Sequence, residues 1–229
     1  MFDVGVPIDD SKRTLALAVV LSTLAGYVDA LGFITLGGFF VAFMSGNLTR
    51  FSVGFADAEW AHAATAAAVI GMFVLGCALG AVVVHLSERR RLPVRTTVLA
   101  VVSGLLIAGA VAATVGASTV AVGAMLLAMG AENSFFQRDG EVTIGLTYMT
   151  GALVKMGHRL AGALFGGPRW AWLRHFALWA GLVVGAVTGA LAHHWIGLDA
   201  LWFAAVLSAA LTVTVHLRID RATRRPQLS

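Results

Sequence analysis

The sequence predicts an all-α, polytopic membrane protein: six transmembrane helices plus two re-entrant half-helix segments, arranged as two inverted three-span repeats. Three observations predict it, namely the scarcity of charge, the lengths of the uncharged intervals and an internal repeat. Of 229 residues, 59% are hydrophobic and only 12% charged, against roughly 25% charged residues in ordinary soluble domains. A chain this short cannot hide so much apolar surface in a core of its own, so lipid must solvate much of it.

The charge map sets out the elements. Between Arg13 and Arg50 the only charged residue is Asp29, and none lies between Glu59 and Glu88, Arg95 and Glu132, Glu141 and Lys155, Arg174 and Asp199, or Asp199 and Arg218. A bilayer core of about 30 Å takes roughly 20 helical residues. Residues 14–33, 62–86, 96–113, 117–136, 175–193 and 200–217 each fit one crossing. The apolar pieces 34–44 and 142–154 are about half that length and are expected as re-entrant half-helices. The first span follows Lys12 and Arg13 and runs on too far for a removable leader, so it is expected to stay in place. Cys77, the single cysteine, lies inside an apolar interval and reads as a small packing residue.

Counting positive charge by side gives an orientation. With the N-terminus inside and six crossings, 15 of the 16 Lys and Arg residues fall inside and only Arg50 outside. That pattern selects cytoplasmic N- and C-termini. The sequence pI near 10 therefore reflects topology, and no nucleic-acid partner is expected, because the bases sit beside apolar runs without interleaved aromatics.

The segment "FMSGNLTR", Phe43 to Arg50, recurs as "YMTGALVK", Tyr148 to Lys155, at an offset of 105 residues. The same offset sets Gly76 and Gly80 on Gly181 and Gly185, and Gly26 aligns with Gly130 at 104. The repeats are then residues 1–113 and 114–229 of one membrane domain. Three crossings per half force the second half in from the opposite face, so residues 34–59 dip from outside and 137–170 from inside. In such inverted repeats, discontinuous helices meet near the midplane and form the transport site.

The motifs "GYVDALGF" at residues 26–33, "FMSGNLTR" and "YMTGALVKMG" resemble the YoaK-like family of bacterial multipass membrane proteins, whose function is unassigned. The second-half pattern of that family begins with a Gln-Asn pair where this chain has Glu132-Asn133. The resemblance implies a bacterial inner-membrane home and supplies no substrate.

Candidate residues follow from cost. Asp29, some sixteen residues into the first span, costs on the order of 3 kcal/mol in lipid unless it faces protein or water, and is expected to serve proton or cation coupling. The bland account is a hydrogen bond to backbone at a helix break. Asn133 is its repeat mate and is expected on the solute-facing stripe; Glu132 is either a second coupling group or an interface residue beside Arg138. Ser45, Gly46, Asn47, Thr150 and Gly151 mark the two breaks and are expected to hold the solute, with local capping by Ser45 or Asn47 as the simpler account. Arg50 and Lys155 would attract anions at the outer and inner mouths, or snorkel to headgroups. Gly76, Gly80, Gly181 and Gly185, with Gly189, signal close helix packing, within the chain or at a homodimer seam.

No metal-ligand spacing, nucleophile elbow, Walker loop or dinucleotide fingerprint occurs, so neither an enzyme nor a cofactor is expected. The expected function is a secondary transporter or permease for a small polar or anionic solute. The alternatives are a passive channel of the same architecture, or a non-transporting structural or signalling membrane protein.

Overall fold

The structure is a computed structural model that describes residues 8–138, 141–142 and 148–223. Among them are eight α-helices: α1 (Ile8–Thr35), α2 (Met44–Ala56), α3 (Trp60–Arg89), α4 (Val94–Thr114), α5 (Ser118–Glu132), α6 (Met149–Leu164), α7 (Leu173–Ile196) and α8 (Leu201–Thr223). Short 3₁₀ turns continue α5 through Asn133–Phe136 and join α7 to α8 through Gly197–Ala200. A two-residue antiparallel ladder pairs Gln137–Arg138 with Glu141–Val142.

Among the described residues five segments are long and apolar enough to cross a membrane: Arg13–Thr35, Trp60–Arg89, Val94–Thr114, Ser118–Phe136 and Leu173–Leu217, the last taking in α7 and most of α8. Their outward faces are oily. Val74, Leu75, Val82, Val184, Val187 and Val206 are all exposed, as expected where lipid is the solvent. The core lies between α1, α4 and α5 and is built from Leu21, Leu24, Val28, Leu31, Leu99, Val102, Leu106, Met125 and Met129. Hydroxyls within the helices turn back on their own carbonyls, as Thr23 does to Val19 (2.9 Å) and Ser87 to Val83 (2.7 Å). Such bonds keep polar groups satisfied without water.

Glycine sets how the helices meet. α1 and α7 run in the same direction: Gly185 lies against the Thr23 carbonyl, Gly189 against that of Tyr27, and Gly26 against Leu182 and Ala186. α3 and α5 do likewise, with Gly76 against Leu127, Gly80 against Ala131, and Gly130 against Phe73 and Cys77. A methyl at any of these positions would collide with backbone, so close approach requires glycine. α4 and α8 are antiparallel, Gly109 meeting Leu201 while Ser103 Oγ pairs with Thr212 Oγ1 at 3.0 Å.

The expected half-helix 34–44 is corrected. α1 continues to Thr35, residues 36–43 are non-helical, and helix resumes at Met44. Gly37 and Gly38 cause the stop: they adopt φ of 62° and 109°, and the Gly38 N–H closes on the Phe33 carbonyl at 2.7 Å, satisfying the end of α1. Ser45-Gly46-Asn47 therefore stands in the first turn of α2, after the unwound stretch rather than on it. Thr150 and Gly151 likewise fall in the first turn of α6, and residues 143–147 before it lie outside the described residues.

Candidate functional site

The two motif blocks of the first half, "GYVDALGF" and "FMSGNLTR", fold into one clamp around residues 36–43. Asp29 Oδ1 accepts hydrogen bonds from the N–H of Val41 at 2.8 Å and of Ala42 at 2.7 Å. Asn47, fully buried, accepts from the Phe40 N–H at 2.9 Å and donates to the Phe40 carbonyl at 2.7 Å. Non-helical backbone at membrane depth persists only where such partners satisfy it. Neither Ser45 nor Asn47 caps α2, whose N-cap is Phe43 with no side-chain cap bond. Ser45 is exposed, and Gly46 leaves room for the rings of Phe40 and Phe43.

Arg50 belongs to the same clamp. Its guanidinium lies 5.9 Å from the Phe33 ring centre and 5.4 Å from that of Phe39, and it packs beside Gly38. Cation–π attraction of this kind holds a charge in an apolar setting. Phe33 and Phe39 are not distinguishable from sequence, because an aromatic residue near a membrane surface looks like an interfacial anchor.

In the second half the arrangement differs. Asn133 Nδ2 donates to the Met129 carbonyl at 2.9 Å, one turn back along its own helix. Glu132 is 1% exposed, and among the described residues neither of its carboxylate oxygens has a hydrogen-bond partner. It is a bare carboxyl group inside a candidate crossing. The side chain of Arg138, its expected neighbour, lies outside the described residues.

α2 packs on α3 and α6 on α7, so Ser45 and Asn47 sit on one helix pair, and Thr150 and Gly151 on another. Thr150 is exposed. Lys155 and Gly151 line a cavity of about 760 Å³ between α1, α6 and α7. Sequence reasoning missed its companions His158, Arg159, Arg174 and His175, although Lys155, His158 and Arg159 carry a helical i, i+3, i+4 signature. Among the described residues no group of three or more His, Cys, Asp or Glu could hold a metal ion.

Comparison with known proteins decides the family. Residues 17–214 match the family described as a protein of unknown function, DUF1275. The chain belongs to that family. A relative, the UPF0700 transmembrane protein RA0705 of Rhizobium meliloti (strain 1021), is 34% identical over 202 residues, which cover 88% of this chain and 86% of the relative. No solved structure matches the chain. The family match and this relative agree with the motif resemblance: the chain is a bacterial multipass membrane protein of unassigned function.

Proposed function

We propose that the protein is an inner-membrane secondary transporter or permease for a small polar or anionic solute, coupled to a proton or cation through Glu132. The observation that carries this reading is the buried carboxyl of Glu132, which lies in a candidate membrane span and has no hydrogen-bond partner among the described residues. An unpaired charge at that depth costs several kcal/mol, and a bound proton or cation would remove the cost. Intramembrane carboxyls with that property serve proton relays and ion pathways. Asp29, by contrast, is committed to Val41 and Ala42, so its role in this scheme is to hold the outer break.

Two inverted halves of three crossings each are the architecture under this reading, with α7 and α8 crossing separately. The glycine contacts support it. Gly26 on α7 repeats as Gly130 on α3, Gly185 on Thr23 as Gly76 on Leu127, and Gly189 on Tyr27 as Gly80 on Ala131. Under this reading Gly76 corresponds to Gly185 and Gly80 to Gly189, one helical turn further along α7 than the sequence offset of 105 puts them. The longer connection from α6 to α7 than from α2 to α3 accounts for the slip. The first break is latched by Asp29 and Asn47, whereas α6 stands beside an open cavity. That asymmetry suits one end state of a rocking carrier.

The test is proton movement in proteoliposomes that enclose a pH-sensitive dye, challenged with a panel of carboxylates, phosphates and amino acids. At least one solute should drive proton movement in the unaltered protein and none in Glu132→Gln. Equal proton movement in both proteins, or neither proton movement nor sodium- or potassium-dependent uptake with any solute, would overturn the coupling.

A further inference from the structure

We infer that the cavity between α1, α6 and α7 is an oxyanion site, built to take a phosphate or phosphate-like group, free or carried on an apolar body. Its charged walls are all of one sign. Lys155 and Arg159 project from α6 and Arg174 from α7, joined by His158, His175 and the phenol of Tyr148, and among the described residues no Asp or Glu lines the space. None of the three permanent cations has a hydrogen bond, ion pair or ring contact among the described residues. Lys155, Arg174 and Arg159 stand close enough together for all three charges to act on His175.

Like charges gathered around one space repel one another, and a bound anion turns that repulsion into attraction. The backbone adds to it. α6 begins at Met149 with Tyr148 as N-cap and no side-chain cap bond, and Tyr148, Gly151 and Ala152 all line the cavity. The first-turn N–H groups of α6 thus lie at the end of the helix where Tyr148 and Gly151 border the cavity. Arginine and lysine together supply forked and point-charge donors of the type that phosphate oxygens accept.

The remaining wall is apolar. Leu15 and Ala18 of α1 and Leu178 of α7 form it, while Leu164, Phe165 and Trp170 stand exposed nearby in sequence, at the end of α6 and in the loop beyond. Charged donors on one side and an apolar wall on the other fit an anionic headgroup with its hydrocarbon, or a free organic phosphate. Arg50, the repeat mate of Lys155, shows what an occupied counterpart looks like, since its charge is taken up by two aromatic rings. The inference needs no transport and stands apart from the coupling assigned to Glu132.

The experiment is a thermal-shift titration of the full chain in neutral detergent with two probes, pyrophosphate and dioctanoyl phosphatidylglycerol. Three proteins are compared: the unaltered chain, the triple variant Lys155→Gln, Arg159→Gln, Arg174→Gln, and a control triple variant Arg89→Gln, Arg90→Gln, Arg91→Gln, which removes equal charge from an exposed turn outside the cavity. Stabilisation of the unaltered chain by either probe is expected, with apparent affinity at least fivefold weaker in the cavity variant and unchanged in the control. Response to the lipid alone assigns the site to a headgroup, and response to pyrophosphate alone assigns it to a free anion. If the cavity triple does not fold, Arg174→Gln alone carries the comparison, with a threefold loss expected. No stabilisation by either probe, or equal loss in both variants, would overturn the inference.

Discussion

Asn47 binds Phe40 as a neighbouring strand would, its amide taking both the N–H and the carbonyl of that one residue at 2.9 and 2.7 Å. The pairing closes the unwound stretch against α2 and leaves no main-chain polar group of Phe40 facing lipid. Asn47→Ala should therefore lower stability by about 2–4 kcal/mol, the cost of two buried groups left unpaired. Asn47→Asp should do no better, because a carboxylate oxygen would face the Phe40 carbonyl. Thermal unfolding in detergent checks both, and unchanged melting in Asn47→Ala would contradict the latch.

Asp29 Oδ1 accepts from the N–H groups of Val41 and Ala42, and the Phe43 backbone N–H also interacts with the carboxylate. Asn at that position keeps an acceptor and Ala does not. Asp29→Asn is expected to cost about 1 kcal/mol and Asp29→Ala about 3 kcal/mol. Equal effects in the same unfolding measurement would show that the backbone bonds are not what Asp29 supplies.

Glycine substitutions should divide by helix seam. Gly130→Ala and Gly185→Ala drive a methyl into the backbone of a parallel neighbour and should destabilise by about 1–3 kcal/mol. Gly104, within α4, has nothing within 4 Å of the place where a methyl would stand, and Gly104→Ala should gain about 0.5–1 kcal/mol from helix propensity. Unfolding midpoints of the three variants report the order directly.

Arg50→Lys keeps the charge but not the flat guanidinium that lies near Phe33 and Phe39. A loss of about 0.5–1 kcal/mol is expected for Lys and a larger one for Ala. If Arg50→Ala melts like the unaltered chain, the arginine is a topology signal alone.

The helices were legible because lipid imposes a length on every apolar interval, and charge marks the ends: the intervals bounded by Glu59 and Glu88 or Arg95 and Glu132 enclose α3, α4 and α5 to within a few residues. The breaks were legible only as places. Ser45, Gly46 and Asn47 stood out through their polarity, yet the chain unwinds earlier, at Gly37 and Gly38, because positive φ leaves no periodic trace in sequence. Asp29 and Asn133 looked alike by offset, and packing separated them: one reaches across to a loop and the other back to its own helix. The bareness of Glu132 was beyond reach, since absence of a partner is a property of three-dimensional surroundings. The basic cavity needed α6 and α7 to be brought side by side before Arg159 and Arg174 became neighbours.

The proposed carrier requires its two halves to enter from opposite faces, and cysteine labelling tests that most directly. In a Cys77→Ala background, the exposed residues Ser45 and Thr150 are replaced singly by Cys, and intact and permeabilised cells are treated with a membrane-impermeant maleimide. Ser45→Cys should label in intact cells and Thr150→Cys only after permeabilisation. Labelling of both from the same side would contradict the inverted arrangement and, with it, the carrier.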